Sequence, residues 1–173
     1  DKGQTVQPLT AKPVLFVANV DEGSDEIPAA VRAHAASQGA GVVAISSRIE
    51  AELSELDDAE AAVMRADLGV AESGLDRVVR GAFELLDLLT FFTVGSGVRA
   101  QSWHLRNGLT VWDAAGEIHT DIQKGFVRAE VVGWQELLDA GGYSHARDAG
   151  TLRIEGRDYL MQDGDVITVK HTN

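Results

Sequence analysis

Residues 13–20 (PVLFVANV) form an unbroken apolar run rich in β-branched and aromatic side chains, and the run passes into the polar cluster Asn19-Val20-Asp21-Glu22. Continuous rather than alternating hydrophobicity predicts a strand buried on both faces, which confines the chain to folds that cover a sheet from two sides. Residues 27–38 follow with helix formers and with Pro28 near their start, where a missing N–H costs nothing. Gly39 and Gly41 then break the chain before a second apolar run at 42–45. Strand, helix and strand in about 35 residues predict a βαβ unit of a parallel sheet.

From residue 49 to 89 the pattern is helical. Asp57 and Asp58 suit an amino-terminal cap for residues 59–66. Leu75, Val78, Val79, Ala82, Leu85, Leu86 and Leu89 recur at i, i+3, i+4 and i+7, which predicts a helix packed on a core. At Thr90 the period becomes extended. Extended segments at 90–94, 102–105, 126–132, 152–154 and 166–170 alternate with helical ones at 111–116 and 135–140, with glycines between them. A short module that begins and ends with strands predicts a small α+β sheet with helices on one face, of β-grasp type. The boundary is expected near 88–90, which gives domains of residues 1–89 and 90–173, with no repeat and no low-complexity linker.

Composition narrows the setting. A chain of 173 residues can bury one good core or two small ones. It has no cysteine, which removes disulfides, thiol nucleophiles and cysteine zinc sites and suits a reducing compartment. No apolar run approaches the roughly 20 residues that span a bilayer, and Asp1-Lys2-Gly3-Gln4 does not start a secretory leader. A cytoplasmic protein without a membrane partner is expected. The net charge of −12 is uneven: residues 1–90 carry 7 basic and 16 acidic side chains, residues 91–173 carry 8 and 11. Nucleic-acid binding draws on cationic contacts to phosphate, so any RNA contact is expected on the second half.

Ligands of open α/β sheets sit at the carboxyl ends of strands, where Asn19-Val20-Asp21-Glu22 and Ser46-Ser47-Arg48 both fall. Taken alone, each cluster has a plain alternative: the first serves equally as a solvated turn, and Ser46 serves equally as a helix cap. His119, Asp121 and Lys124 contain the groups of an acid–base site, yet Asp121 and Lys124-Gly125 suit an ordered loop just as well. The five histidines (His34, His104, His119, His145, His171) lack ligand spacing, so no metal site is expected. Trp103, Trp112 and Trp134 read as core or partner-facing anchors, because base-stacking platforms sit among basic residues. The chain has no G-x-x-x-x-G-K-[ST] and no D-x-x-G. It therefore offers no phosphate-cradling loop, and no catalytic residue is assigned.

Several blocks together resemble the YchF family of P-loop ATPases, related to the Obg proteins. These are Thr90-Phe91-Phe92-Thr93-Val94-Gly95, then Ala114-Ala115-Gly116-Glu117-Ile118-His119-Thr120-Asp121, then Lys124-Gly125-Phe126-Val127-Arg128-Ala129-Glu130. Glu155-Gly156-Arg157-Asp158-Tyr159 and Gln162-Asp163-Gly164-Asp165-Val166-Ile167 complete the series, in the order and spacing of the YchF-type TGS domain. Asn19-Val20-Asp21-Glu22 resembles the family's N-x-x-E, where P-loop GTPases carry N-K-x-D. Ser46-Ser47-Arg48 resembles S-A-K, and Glu50-Ala51-Glu52-Leu53 matches the family's helix start. The segment from Ser96 to Trp103 holds one residue more than the usual V-R-A-W pattern, and Lys170-His171-Thr172-Asn173 differs from the family's aromatic-rich end.

The resemblance implies a partial P-loop NTPase parallel sheet with helices, followed by a β-grasp (ubiquitin-like) TGS domain. It implies that Asn19, Val20 and Glu22 line an adenine site that Ser46 and Ser47 complete. ATP, or GTP, is the expected nucleotide, with ATP preferred and Mg2+ bound mainly outside this chain, which is expected to start after the phosphate-binding motifs and to be inactive alone. Chemistry supplies only part of that preference: an acceptor moved or lengthened relative to guanine's two donors loses its guanine selectivity, but does not thereby choose adenine. The resemblance further implies association with the ribosome through the large subunit. The rival reading is a non-enzymatic TGS module docking ribosomal RNA or protein. Its basic face would draw on Lys124, Arg128, Arg99 and Arg106, with Arg147, Arg153 and Arg157 nearby in sequence. A ubiquitin-like carrier is set aside, since such carriers end in Gly-Gly and this chain ends in Thr172-Asn173.

Overall fold

The computed structural model describes residues 8–70, 72–94 and 99–172; the readings made on residues 1–7, 95–98 and 173 lie outside them. The backbone divides into two compact units, Asp1–Leu86 and Asp87–Asn173. Among the described residues, no helix is long and apolar enough to cross a membrane.

In the first unit, β1 (Leu15–Asn19) is joined through α1 (Ala29–Ser37) to β2 (Gly41–Ile45). The two strands are parallel, with Leu15 opposite Gly41 and Asn19 opposite Ile45. Phe16 meets the ring of His34 on α1 edge-on, with centroids 5.5 Å apart. α2 (Ser47–Leu53) and α3 (Asp58–Asp67) share a small cluster of Ile49, Leu53 and Ala61. Asp57 caps α3 by accepting from the N–H groups of Ala59 (3.0 Å) and Glu60 (2.9 Å), while Glu60 accepts from the N–H of Asp57. α4 (Gly74–Leu85) lies against the strands at Gly81, where an added Cβ would stand 3.0 Å from Val43 and 3.3 Å from the Leu15 methyls.

Two expectations need correction in this unit. β1 is not buried on both faces: Val17 is 46% exposed, and Val14 just before the strand is 43% exposed. Among the described residues β1 pairs with β2 alone, and Gly81 of α4 comes nearer to Val43 of β2 than to Leu15 of β1. The long apolar stripe is also only partly used. Leu75, Val79 and Leu86 are exposed and Leu89 belongs to the next strand, because two strands offer less surface than the stripe can cover.

The second unit is a five-stranded mixed sheet of β3 (Leu88–Thr93), β4 (Gln101–Arg106), β5 (Phe126–Gly133), β6 (Arg153–Glu155) and β7 (Asp165–His171). Its order is β4-β3-β7-β5-β6, and β3 runs parallel to β7 while the other pairs are antiparallel. α5 (Val111–Ile118) packs Val111, Ala114 and Ala115 against Phe91, Val131 and Ile167; Ile122 of α6 (Thr120–Lys124) joins this core. α7 (Trp134–Ala140) and α8 (Tyr143–Asp148) bring Leu137, Tyr143 and Ala146 to Val132, Val166 and Phe92. Helices therefore cover both faces, where the sequence reading places them on one. The cause lies in the adjacent apolar pairs Phe91-Phe92, Val131-Val132 and Val166-Ile167, which give neighbouring strand positions to opposite faces.

The Gln162-Asp163-Gly164-Asp165 block is the turn that ties this sheet together. Asp163 accepts from the N–H of Thr90 (2.8 Å), Gly164 donates to the carbonyl of Thr90 (2.8 Å), and Trp134 donates to the carbonyl of Gly164 (3.0 Å). Asp165, 3% exposed, accepts from the N–H of Gln162 (2.9 Å) and the hydroxyl of Tyr159 (3.0 Å). Burial pushes its carboxyl above the ordinary carboxylate value, against the opposing pull of Gln162, Tyr159 and Arg153.

Candidate functional site

Parallel pairing places the ends of β1 and β2 side by side, so the turn after each strand opens on the same edge of the sheet. The N–H of Val20 extends that pairing by one bond, to the carbonyl of Ile45 at 2.8 Å. The side-chain oxygen of Asn19 then accepts the N–H of Ser47 at 3.0 Å, across 28 residues of sequence. Ser47 is the first residue of α2, whose leading N–H groups lack partners within the helix, so Asn19 acts as a cap supplied by another segment. Ser46 holds the cap position but makes no capping bond with its own side chain.

Around this bond lies an open cavity of about 390 Å³ lined by Asn19, Val20, Asp21, Glu22, Ser46 and Arg48. Four of the five residues proposed from sequence line it: Asn19, Val20, Glu22 and Ser46. Ser47 does not line it, and its backbone N–H is held by Asn19. Asp21 and Arg48 are additional lining residues. Their signal was present in the sequence, because each stands inside one of the two quoted motifs. Nε of Arg48 is 2.8 Å from a carboxylate oxygen of Glu22 and 3.3 Å from one of Glu52, one helical turn further on. Glu50, the helix's other acid, turns away and accepts the N–H of Gly74 at 2.7 Å.

The chemistry on offer is hydrogen bonding at a neutral or donor-rich ligand. Asp21 and Glu22 against the single Arg48 leave the lining acidic, which disfavours phosphate and suits a heterocycle that presents N–H groups. Asn19 has committed its oxygen, so its NH2 group is what it can offer to a ligand acceptor. Among the described residues, no group of three or more His, Asp or Glu is arranged to hold a metal ion.

The remaining candidates fall elsewhere. His119 accepts the N–H of Asp121 at its Nδ1 (3.2 Å) and so caps α6, while Lys124 lies 3.8 Å from Asp121, all three on the surface. Lys124 ends α6 next to Gly125, whose carbonyl receives the N–H of Thr172 just after β7 (2.9 Å). Arg128 stands opposite Lys170 near the same end of β7, and Arg99 lines a cavity there with Ile122 and Val169. Arg106 pairs with Leu88 at the opposite end of the sheet, so the four basic residues do not form one patch. Trp103 stacks on Phe91 and donates to Thr93 (3.0 Å), whereas Trp112 and Trp134 are 37% and 49% exposed.

Comparison with known proteins agrees across sequence and structure. The family model YchF-GTPase_C, described as a protein of unknown function (DUF933), matches residues 88–172. The "Ribosome-binding ATPase YchF" of Bacillus subtilis is 41% identical over 165 residues, covering 92% of this chain and 45% of that protein. Its counterpart in Haemophilus influenzae is 46% identical over 163 residues, covering 92% and 44%. The chain thus spans somewhat under half the length of these curated relatives. The structure of the Schizosaccharomyces pombe YchF GTPase superposes with a TM-score of 0.77 at 29% identity, over 92% of this chain and 44% of that one. A GTP binding protein from Pyrococcus horikoshii shares the fold, with a TM-score of 0.64 at 22% identity over 94% and 46%.

Proposed function

The chain belongs to the YchF family, and on that premise we propose that it carries the base-reading side and the partner-docking domain of a nucleoside triphosphatase that works on the ribosome. The observation that carries this reading is the 3.0 Å bond from Ser47 to Asn19, which locks the two post-strand turns into one wall beside the open cavity. With its oxygen committed, Asn19 presents donors to N7, an acceptor that adenine and guanine share. It recognises a purine without choosing between them. Choice falls to Glu22, the carboxylate on the opposite side of the motif, which accepts from whichever exocyclic or ring N–H the base presents. ATP is the preferred nucleotide on this reading, with GTP as the competitor.

The acidic, hydrogen-bonding lining here fits the base of a nucleotide rather than its phosphates. Magnesium and the triphosphate are assigned to residues outside this chain, and ATP supplies the hydrolysable bond. For the second unit, the parallel pairing of its first and last strands, with antiparallel partners outside them, supports a β-grasp TGS domain. Its contact is proposed to be with the large ribosomal subunit. The names of the relatives support a ribosome-binding role, with a cytoplasmic setting proposed alongside it. An RNA contact is proposed to draw on Lys124, Arg128 and Lys170, of which Lys124 and Lys170 each stand beside an acid, Asp121 and Glu130.

The direct test replaces Glu22 with alanine in the full-length protein and measures ATP and GTP affinities side by side. Loss of one hydrogen bond of ordinary strength predicts a change of about three- to tenfold in the ATP-to-GTP ratio. An unchanged ratio removes Glu22 from the site.

A further inference from the structure

We propose that Arg77 is a positioning residue for this site, which from α4 fixes the turn after β1 against β2. The inference rests on the base-site reading above and adds to it a residue that does not line the candidate cavity and belongs to none of the quoted motifs. Nη1 of Arg77 carries two N–H groups. It donates to the carboxylate of Asp25, in the segment that follows Glu22, and to the carbonyl of Ala44 on β2 at 3.4 Å. One nitrogen thus joins the two segments that carry the two halves of the site, reaching across 52 and 33 residues of sequence.

The first turn of α4 is seated for this role. Its opening residue, Gly74, donates its N–H to Glu50 of α2 at 2.7 Å, so the start of α4 is tied to the helix that follows Ser46. A small cavity of about 30 Å³ lies among Gly23, Ser24, Ser46, Gly74 and Arg77, which gathers both turns and the start of α4 around one space. The turn after β1 closes locally, with the N–H of Ser24 on the carbonyl of Asp21 at 3.2 Å, and Asp25 is the next residue. A segment held in place before a ligand arrives does not have to be ordered by it, so the contact to Asp25 strengthens binding without touching the ligand. Arg77 meets Asp25 and Ala44 rather than Asn19 or Glu22, and its effect therefore falls equally on adenine and guanine nucleotides.

Arg77 is partly buried but Asp25 is 76% exposed, and exposed ion pairs are weak, which bounds the effect. Arg77→Met keeps an apolar stem on α4 and is expected to weaken ADP and GDP binding by one common factor, about two- to fivefold. The experiment is calorimetric titration of the full-length protein with ADP and GDP for the parent, R77M, R77K, D25A and the R77M/D25A double variant. Amide exchange of residues 21–26 is followed in the same proteins without nucleotide. The proposal expects faster exchange there in R77M and D25A, a double variant no weaker than either single one, and R77K closer to the parent than R77M, since an ammonium still offers donors to both acceptors. It is overturned if R77M binds both nucleotides as the parent does, if it shifts the ADP-to-GDP ratio, or if residues 21–26 exchange as before. It is overturned equally if the losses of R77M and D25A multiply in the double variant, or if R77K is as weak as R77M. Altered binding in E22A or N19A keeps the base-site reading intact through any of these outcomes. If E22A and N19A both leave the binding of both nucleotides unaltered, that reading falls and this inference with it.

Discussion

At the residue scale, Asn19 and Asp165 show two ways in which a polar side chain becomes structural. Asn19 satisfies a helix donor that would otherwise lack a partner; the motif marks it as a candidate ligand contact, and neither this capping role nor its partner was legible there. Nothing in the sequence says that the oxygen of Asn19 reaches Ser47 rather than solvent. Asp165 was legible only as part of a family block, yet it is the one buried charged group among the described residues. Its carboxyl is raised by burial from the ordinary 3.8. A raised folded-state value means that the native state holds the proton more tightly than the unfolded chain. The contribution of Asp165 to stability is therefore fully present below the unfolded value and is lost as pH rises through the folded one. Urea unfolding of the parent and of Asp165→Asn from acid to neutral pH should show the stability advantage of the parent shrinking as pH rises. An advantage that grows with pH would contradict the assignment.

At the element scale, strong local signals were read correctly where local energetics decide them. Asp57 was recognised as a cap because its side chain precedes a helical run, and the structure adds the reciprocal bond from Glu60. Replacing Asp57 with alanine should destabilise α3 by about 1 kcal/mol, seen as a lowered midpoint in denaturant and faster amide exchange across residues 58–67. Unchanged exchange there would show that the cap contributes nothing. The short helices α6 and α8 went unread. Five and six residues hold too little periodicity to stand out, and α6 is started by a histidine, an unusual cap. The double-sided covering of the second sheet was written in Val131-Val132 and Val166-Ile167, but a short apolar pair also fits a single buried face.

At the scale of the whole molecule, the chain holds two units with separate sources of stability. The second has the larger core, with Phe91, Val111, Val131, Val132 and Ile167 fully buried, each contributing about 1.5–3 kcal/mol. The first has two paired strands, uncovered valines and only small buried clusters, yet it holds the candidate site. One parallel strand pair is enough to hold the two turns of the candidate site side by side, so a unit with little buried core can carry it.

The account stands on the claim that these two turns form one purine-binding wall. Hydrogen–deuterium exchange of the full-length protein, with and without a non-hydrolysable ATP analogue, tests it most directly. The account predicts slower exchange in the peptides spanning residues 19–24 and 45–48 together when the analogue binds. Protection elsewhere, with both of these segments exchanging as before, would contradict it.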